Sequence, residues 1–221
     1  MGRLIVFEGI DGSGKSTQFE LLCRTLSEEN TEFKRLRFPQ YSKPSSALLR
    51  MYLNGEFGSH PDDVNAYAAS TFYAVDRVAS YLTDWRDYYN GGGVLLADRY
   101  TTSNAIHQGS KLSGKERLDY LNWLYEFEFD RLGLPKPDTV IYMDIPLELS
   151  VEHIKKRSAE TDTKADIHEL DLEYLERCRD CGLQAAELYG WKVIKCAPDG
   201  RMRTIDDIAG EIYGIIRTEV L

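Results

Sequence analysis

A glycine-rich turn directly after a short apolar run constrains the fold of this chain more than any other feature. The run is LIVF at residues 4–7, and GIDGSGKS follows at residues 9–16 and matches the pattern GxxxxGK[ST]. In such a turn the backbone N–H groups cradle phosphate oxygens, the lysine reaches the β- and γ-phosphates, and the final hydroxyl binds Mg²⁺. The sequence therefore predicts a strand, a phosphate loop over residues 9–17 and a helix. The predicted phosphate-binding residues are Gly9, Gly12, Ser13, Gly14, Lys15, Ser16 and Thr17, with Ser16 also on the metal.

Apolar, β-rich runs alternate with longer helical patterns along the rest of the chain. The runs lie at residues 4–7, 33–38, 94–97, 139–143 and 192–196, and the helical patterns at 15–30, 45–54, 64–89, 114–129, 147–157, 169–189 and 204–218. Alternation of this kind is typical of βαβ units, in which helices cover both faces of a parallel sheet. We therefore expect one α/β domain over residues 1–221, with a five-stranded parallel sheet and the P-loop NTPase fold. The polar, non-periodic segment 158–168 is expected to be a short flexible lid.

Composition narrows the function classes. The formal net charge is −9 and the pI is about 5.0, so the chain is a poor general binder of nucleic acid or of anionic membranes. No apolar run approaches the roughly 20 residues that span a bilayer, and the N-terminus does not have the pattern of a signal peptide, so we expect a cytoplasmic protein. Cys178 and Cys181 have CxxC spacing, but no second pair of ligands has similar spacing. We interpret both cysteines as ordinary helix residues rather than as a zinc or redox pair.

A phosphate loop alone does not separate a kinase from a GTPase switch or a motor. The sequence contains no NKxD stretch for reading guanine. It contains instead RFPQYS at residues 37–42, at the end of the second predicted strand. Carboxyl ends of parallel strands open onto the ligand crevice, so an Arg and two aromatic residues there could line a binding site. The alternative is a strand end closed by a turn.

Two further segments have residues suited to a second small molecule. In FYAVDR, residues 72–77, Tyr73 and Arg77 are four apart and share a helical face, where a ring and a guanidinium can stack on a base and donate to its edge. The alternative is a core aromatic residue beside a solvated arginine. In the segment 95–109 an apolar strand ends in Asp98 and Arg99. A carboxylate at that place can hold the Mg²⁺ shell, and the neighbouring guanidinium can bridge donor and acceptor phosphates.

The chain resembles the thymidylate kinase family along nearly its whole length. The resemblance rests on FEGIDGSGKSTQ, RFPQYS, FYAVDR, DRYTTSNAIHQG and EFDRLGLPKPD, in the right order and approximate spacing. It implies ATP-dependent phosphorylation of dTMP to dTDP, with Mg²⁺ as cofactor, ATP and dTMP as partners, and a homodimer.

The resemblance also implies roles for individual residues. The implied catalytic residues are Lys15, Arg99, Asp11 and Arg157. On the donor side, the guanidinium of Arg157 would stack on the adenine, Ala197 would border it, and Ser16 and Asp98 would hold the metal. On the acceptor side, Tyr73 would stack on thymine and Arg77 would read its edge. The full implied acceptor set is Asp11, Phe38, Tyr41, Arg50, Tyr73, Arg77, Arg99, Ser103, Asn104 and His107.

The sequence departs from the family pattern at four places. Gln40 and Tyr41 stand where many members have an arginine that grips the acceptor phosphate, which leaves Arg37, Arg50 or Arg99 for that contact. Gly12 stands where some members have a catalytic arginine. The lid offers Lys164, with Lys156 and Arg157 at its edge, and His107 stands where related chains often have an aromatic residue near the sugar.

Two other functions remain open from the sequence. A deoxynucleoside kinase phosphorylates a sugar hydroxyl and needs a carboxylate base, for which Glu8 and Asp98 are candidates. A nucleotide-dependent switch without an acceptor would show slow hydrolysis alone. Segments 72–77 and 98–104 argue against the switch, because their aromatic and cationic residues suit a second ligand.

Overall fold

Five parallel strands form the sheet, in the order β2-β3-β1-β4-β5. The computed structural model describes residues 1–161 and 172–219. The strands are β1 (Arg3–Glu8), β2 (Lys34–Arg37), β3 (Val94–Asp98), β4 (Thr139–Asp144) and β5 (Lys192–Lys195). The five-stranded parallel sheet expected from the sequence is confirmed, and each strand falls within two residues of its predicted bounds.

Strand β1 is the centre of the sheet. It pairs with β3 on one side, where Phe7 is opposite Asp98, and with β4 on the other, where Phe7 is opposite Ile141. The residues at 4–7 are fully buried, as a continuous apolar run in a doubly covered strand requires. Because β1 is central, the turn that follows it lies at the carboxyl edge of the sheet, between the ends of β3 and β4.

The helices connect the strands and cover the sheet. They are α1 (Lys15–Glu28), α2 (Ala47–Leu53), α3 (Ala66–Ser80), α4 (Arg86–Asn90), α5 (Thr101–His107), α6 (Gly114–Tyr125), α7 (Leu147–Thr161), α8 (Leu172–Tyr189) and α9 (Ile205–Glu219). Helix α1 packs against α9, and α5 packs against α8. None of the helices within residues 1–161 and 172–219 is long and apolar enough to cross a membrane.

Two π-helical stretches interrupt helices that the sequence predicts as continuous. The predicted helix 64–89 is α3, a π-helical stretch at Tyr81–Trp85, and α4. Helix α6 likewise continues into a π-helical stretch at Glu126–Arg131. An extra residue in a helical turn changes which side chains face inward, and the second stretch directs Glu128 into the core, where it is fully buried.

One hydrophobic cluster includes buried residues from all five strands, such as Leu36, Leu95, Leu4, Ile141 and Ile194. The first part of the predicted lid, up to residue 161, is the end of α7. The remainder, 162–168, lies outside the described residues, so the lid stays a prediction.

Candidate active site

The phosphate loop is held in shape by its own glycines and by the start of α7. Gly12 has φ 75°, in the left-handed region, and a Cβ there would lie 2.3 Å from the backbone oxygen of Ser150. The Ser150 hydroxyl donates to the carbonyl oxygen of Asp11 at 2.6 Å, and Nδ1 of His153 donates to the carbonyl oxygen of Gly12 at 2.8 Å. The close approach of α7 therefore requires a glycine at position 12. The same close approach leaves no room for an arginine side chain there.

Lys15 and Asp98 meet at the floor of the cleft. The Lys15 ammonium forms an ion pair with Oδ1 of Asp98, and the Arg37 guanidinium contacts Oδ2 of the same carboxylate at 2.9 Å. Burial favours the neutral acid, but Lys15, Arg99 and Arg37 outweigh it, so the pKa of Asp98 lies below its usual range. Burial and the nearby Arg99 lower the pKa of Lys15, against the opposing effect of Asp98. Both residues are at least nine-tenths buried.

Arg99 follows directly after β3, with its backbone in the left-handed region at φ 69°. Its Nη2 lies 2.6 Å from Oδ1 of Asp11, and its Nη1 lies 2.9 Å from Nε2 of His107. A guanidinium only donates, so Nε2 of His107 must be the accepting nitrogen. Burial alone would lower the pKa of Arg99, but Asp11 and Glu8 raise it above its usual range. The unusual backbone conformation and these partners fix the guanidinium above the phosphate loop.

Glu8, at the end of β1, organises the start of α5. It accepts hydrogen bonds from the Tyr100 N–H at 3.2 Å, the Thr102 hydroxyl at 2.7 Å and the Ser103 hydroxyl at 2.9 Å. The carboxylate is fully buried, and this burial raises its pKa. Two cavities open at this edge of the sheet, and among the described residues Glu8 lines neither of them.

Two cavities open along the carboxyl edge of the sheet. One, of about 770 Å³, contains the phosphate loop and extends to Lys156, Met202, Arg203 and Ile208; we call it the donor cavity. The other, of about 230 Å³, we call the acceptor cavity, and it is lined chiefly by Leu53, Tyr73, Arg77, Ser103, Asn104, His107, Gln108 and Tyr174. The residues common to both are Asp11, Phe38, Pro39, Tyr41 and Arg99. Arg99 and Asp11 therefore lie at the junction of the cavities.

Two polar side chains that line the acceptor cavity, Arg77 and Asn104, are held by hydrogen bonds. Arg77 is buried and forms a two-pronged pair with Glu128, with Nε 2.7 Å from Oε2 and Nη2 2.5 Å from Oε1. The sequence-based alternative of a solvated arginine is therefore wrong. Burial alone would lower the pKa of Arg77, but Glu128 raises it above its usual range. Nδ2 of Asn104 donates to the carbonyl oxygen of Ser70 at 3.3 Å, which leaves Oδ1 as the accepting end of the amide.

Comparison with known proteins decides the family. A family model described as thymidylate kinase matches residues 7–201. A thymidylate kinase from Mycobacterium tuberculosis is 33% identical over 192 residues, which cover 85% of this chain and 87% of that protein. The chain belongs to the thymidylate kinase family. A probable thymidylate kinase from Thermococcus gammatolerans is 28% identical and covers 100% of this chain and 99% of its own length. The solved structure of thymidylate kinase from Candida albicans superposes with a TM-score of 0.72 at 25% identity, covering 98% of this chain and 92% of that one.

Most of the described residues that the thymidylate kinase resemblance selects lie in one cavity or the other, but three of them do not. Gly9 and Ala197 are not among the described residues that line either cavity. Nor is Arg50, whose Nη1 donates to the carbonyl oxygens of Tyr41 and Lys43 and so holds the loop after β2. Arg157 lies in α7, but its side chain is outside the described part of the chain.

Sequence reasoning missed Glu128 and Tyr174. Glu128 lies within the quoted stretch EFDRLGLPKPD, but its partner Arg77 is 51 residues away in sequence. Tyr174 lies on α8 and contributes to the acceptor cavity, close to His107. Neither contact has a periodic or motif signal in a single sequence.

Proposed function

We propose that this protein transfers the γ-phosphate of ATP to dTMP and yields ADP and dTDP. The observation that supports this best is the junction of the two cavities at Arg99 and Asp11. One cavity contains the phosphate loop, and the other is lined by a fixed donor, Arg77, and a fixed acceptor, Asn104, which suit a pyrimidine base. A nucleotide in each cavity would point its phosphates at the junction, which is the arrangement that phosphoryl transfer requires.

The acceptor phosphate is already anionic and acts as the nucleophile, so the reaction needs no general base. The protein's part is to hold the two nucleotides in line and to neutralise charge as it develops on the transferred group. Lys15 would contact the β- and γ-phosphates, and Arg99 would bridge donor and acceptor phosphates. Asp11 would hold Arg99 in that position, since the two side chains already pair at 2.6 Å.

The residues of the donor cavity fit Mg²⁺. The Ser16 hydroxyl and the Asp98 carboxylate both line it, and Mg²⁺ prefers such oxygen ligands together with substrate phosphates. When bound with ATP, Mg²⁺ would supply positive charge to the β- and γ-phosphates. Lys15 now occupies one oxygen of Asp98, so its movement toward the phosphates would free that oxygen.

The contact to the acceptor phosphate would come from Arg99, with Arg37 as the second cation of the cleft. Gln40 is directed elsewhere, because its amide nitrogen donates to the Ser80 hydroxyl at 2.9 Å. Arg50 is occupied by the loop carbonyls. Lys156 lines the donor cavity, and we propose it together with Arg157 as the source of further positive charge near the lid.

A sugar hydroxyl is a less suitable acceptor at this site. The hydroxyl would need a carboxylate base, and Glu8 is buried and occupied by three donors at the start of α5. Asp98 is held between Lys15 and Arg37.

The family resemblance also leads us to propose a homodimer and a lid. Light scattering of the purified protein tests the homodimer.

The decisive experiment measures ADP release with ATP and a panel of acceptors: dTMP, dUMP, dCMP, dGMP, dAMP and thymidine. We expect dTMP to give the highest kcat/KM and dUMP to be a weaker substrate, because it lacks one methyl group. Activity with thymidine but not with dTMP would identify a deoxynucleoside kinase. ADP release that no acceptor increases would identify a nucleotide switch.

A further inference from the structure

Glu128 is a buried carboxylate that the proposed chemistry does not use. It is fully buried and is not among the described residues lining either cavity, yet it contacts a side chain that does line one. We propose that Glu128 is the positioning residue that sets the preference for dTMP over dCMP, because it fixes which N–H groups of Arg77 face the base. This inference rests on the proposed function.

The geometry of the pair determines what Arg77 offers to a ligand. Glu128 accepts from Nε and Nη2, which are the two nitrogens on one edge of the guanidinium. The third nitrogen, Nη1, donates to the carbonyl oxygen of Tyr100 at 3.4 Å and has one further N–H. Because Arg77 lines the acceptor cavity, we infer that this N–H is the one it offers to a ligand. A two-pronged contact fixes the plane of the guanidinium as well as its position. Arg77 therefore presents a donor of defined direction in the lining of the acceptor cavity.

Glu128 is itself fixed from a second direction. The Thr101 hydroxyl at the start of α5 donates to Oε2 at 2.7 Å, and Thr101 is fully buried. The carboxylate belongs to the π-helical stretch Glu126–Arg131, a kind of helical distortion that is frequent at functional sites. Three elements, α3, α5 and the continuation of α6, thus meet at this carboxylate. A rotation of Glu128 would break contacts with two of them.

The same elements fix the neighbouring acceptor. Asn104 is held by the Ser70 carbonyl oxygen, and the Ser70 hydroxyl is 2.7 Å from the hydroxyl of Tyr120. The Tyr120 hydroxyl also donates to the carbonyl oxygen of Asn104 at 3.1 Å. The acceptor cavity is therefore lined by a rigid pair, one N–H donor from Arg77 and one oxygen acceptor from Asn104.

This pair matches thymine and mismatches cytosine. Thymine presents its O4 acceptor beside its N3–H donor, whereas cytosine presents an amino donor beside a bare N3 acceptor. If Arg77 were free to swing, it could withdraw from the amino group of cytosine, and the mismatch would cost little. Because Glu128 holds it in place, cytosine must leave polar groups unpaired, which costs a factor of roughly 5 to 150 for each mismatch. Selectivity thus depends on the rigidity of the donor as well as on its presence.

The competing explanation is that Glu128 merely neutralises a buried charge. In that case its loss would lower stability and would reduce kcat/KM for every acceptor by the same factor. A positioning role predicts a change in the ratio between acceptors. The two explanations therefore differ in an observable that does not depend on how much folded protein a variant yields.

The test is Glu128→Gln, which keeps the shape of the side chain but replaces one acceptor oxygen with an NH₂ group. That group would meet an N–H of Arg77 donor to donor. We expect the ratio of kcat/KM for dTMP to that for dCMP to fall by about 10-fold or more, with a higher KM for dTMP and an unchanged KM for ATP. In an Arg77→Ala background the same substitution should change the ratio no further. A ratio that stays within twofold of wild type in Glu128→Gln overturns the proposal.

Two more variants complete the experiment. Asp144→Asn breaks another two-pronged pair, in which Nε of Arg179 lies 2.7 Å from Oδ1 of Asp144, and it should lower stability without changing the ratio. If Glu128→Gln cannot be isolated folded, Glu128→Asp decides, because it keeps the negative charge beside Arg77 but shortens the side chain by one methylene group, so the two-pronged contact cannot keep its geometry. A narrowed ratio supports the proposal, and an unchanged ratio overturns it. Wild-type protein that does not phosphorylate dTMP would instead refute the proposed function, which separates the two failures.

Discussion

Lys15 of the phosphate loop and Asp98 at the end of β3 form a buried ion pair across the floor of the donor cavity. Each residue neutralises the buried charge of the other, since an unpaired buried charge is costly. Binding of a nucleotide with its metal would give each a new partner, the phosphates for Lys15 and the metal for Asp98. The pair therefore holds both groups in place and opposes the loss of charge that burial favours.

We expect Lys15→Ala to reduce kcat by about 10²- to 10³-fold, because it removes a cation from phosphates whose charge redistributes in the transition state. Binding of dTMP should persist, since Lys15 is not among the residues that line the acceptor cavity. Steady-state kinetics and calorimetric titration with dTMP check the two parts. Lys115→Ala is the matched control, because that side chain is 86% exposed and pairs with Asp119 on the surface. A near-normal kcat in folded Lys15→Ala would refute the assignment of the phosphate loop.

We expect a glycine-to-alanine substitution to lower stability at position 12 and to raise it at position 210. Gly12→Ala places a Cβ 2.3 Å from the backbone oxygen of Ser150 at a residue with φ 75°, so we expect a lower Tm and a large loss of activity. Gly210→Ala makes the same change in α9, where nothing lies within 4 Å of the added Cβ. There it should raise stability by about 1 kcal/mol through helix propensity and leave kcat unchanged. Thermal unfolding and kinetics of the pair test this, and a Gly12→Ala enzyme with wild-type Tm and kcat would contradict the structure.

The buried thiols of α8 are expected to be unreactive in the folded protein. Burial raises the pKa of Cys178 and of Cys181 to about 12. The thiolate is the reactive form, so Ellman's reagent at pH 8 should label neither residue until urea is added. In the unfolded chain thiols ionise near a pKa of about 8.5, so the stability that the two protonated thiols contribute should be lost as pH rises above that value.

Urea titrations at two alkaline pH values check the sign of this effect. The wild type should lose more stability between them than the double variant Cys178→Ala/Cys181→Ala. Rapid stoichiometric labelling of either cysteine in native protein would mean that the CxxC pair is accessible, against its interpretation as ordinary helix residues.

The sequence predicted the sheet because its strands are short apolar runs between longer helical patterns, and local pattern is sufficient for that. It did not predict the π-helical stretch at Glu126–Arg131, since one extra residue in a turn leaves the periodicity almost unchanged. The inward direction of Glu128, and with it the burial of Arg77, follows from that stretch. Local sequence gives the types of the candidate site residues, but most of their partners are distant in the chain. Thr101 and Glu128 are 27 residues apart, and Glu8 and Thr102 are 94 residues apart.

The departures from the family pattern show the same difference between residue types, which the sequence gives, and their contacts, which only the structure gives. The absence of an arginine at position 12 is visible in the sequence, but the close approach of the Ser150 backbone, which leaves no room for a side chain there, is not. Likewise, Arg37, Arg50 and Arg99 are equal candidates for the acceptor phosphate by sequence. The structure distinguishes them through their partners, because Arg50 holds backbone carbonyls whereas Arg99 lies at the junction of the cavities.

We expect Tyr73→Leu to weaken the binding of every pyrimidine substrate equally. Tyr73 lines the acceptor cavity, and stacking of a base on an aromatic ring contributes about 1–3 kcal/mol without regard to the edge of the base. The KM for dTMP should rise on the order of 10-fold while the ratio of dTMP to dCMP stays constant. Tyr213→Leu on α9, outside the residues that line the two cavities, should leave both values unchanged. A shifted ratio in Tyr73→Leu would show that the ring does more than stack.

Unlike Tyr73→Leu, Arg77→Ala should change the ratio of kcat/KM for dTMP to that for dCMP. Arg77 can only donate, so it suits O4 of thymine and meets the amino group of cytosine donor to donor. We expect the wild type to disfavour dCMP by about 10²-fold or more in kcat/KM, and Arg77→Ala to narrow that ratio while lowering activity with dTMP. Arg117→Ala is the matched control, because its guanidinium contacts the carbonyl oxygens of Gly109 and Leu112 and the truncation is the same. It should affect stability but not the ratio. If the wild type uses dCMP as well as dTMP, or if Arg77→Ala leaves the ratio unchanged, then Arg77 does not read the base.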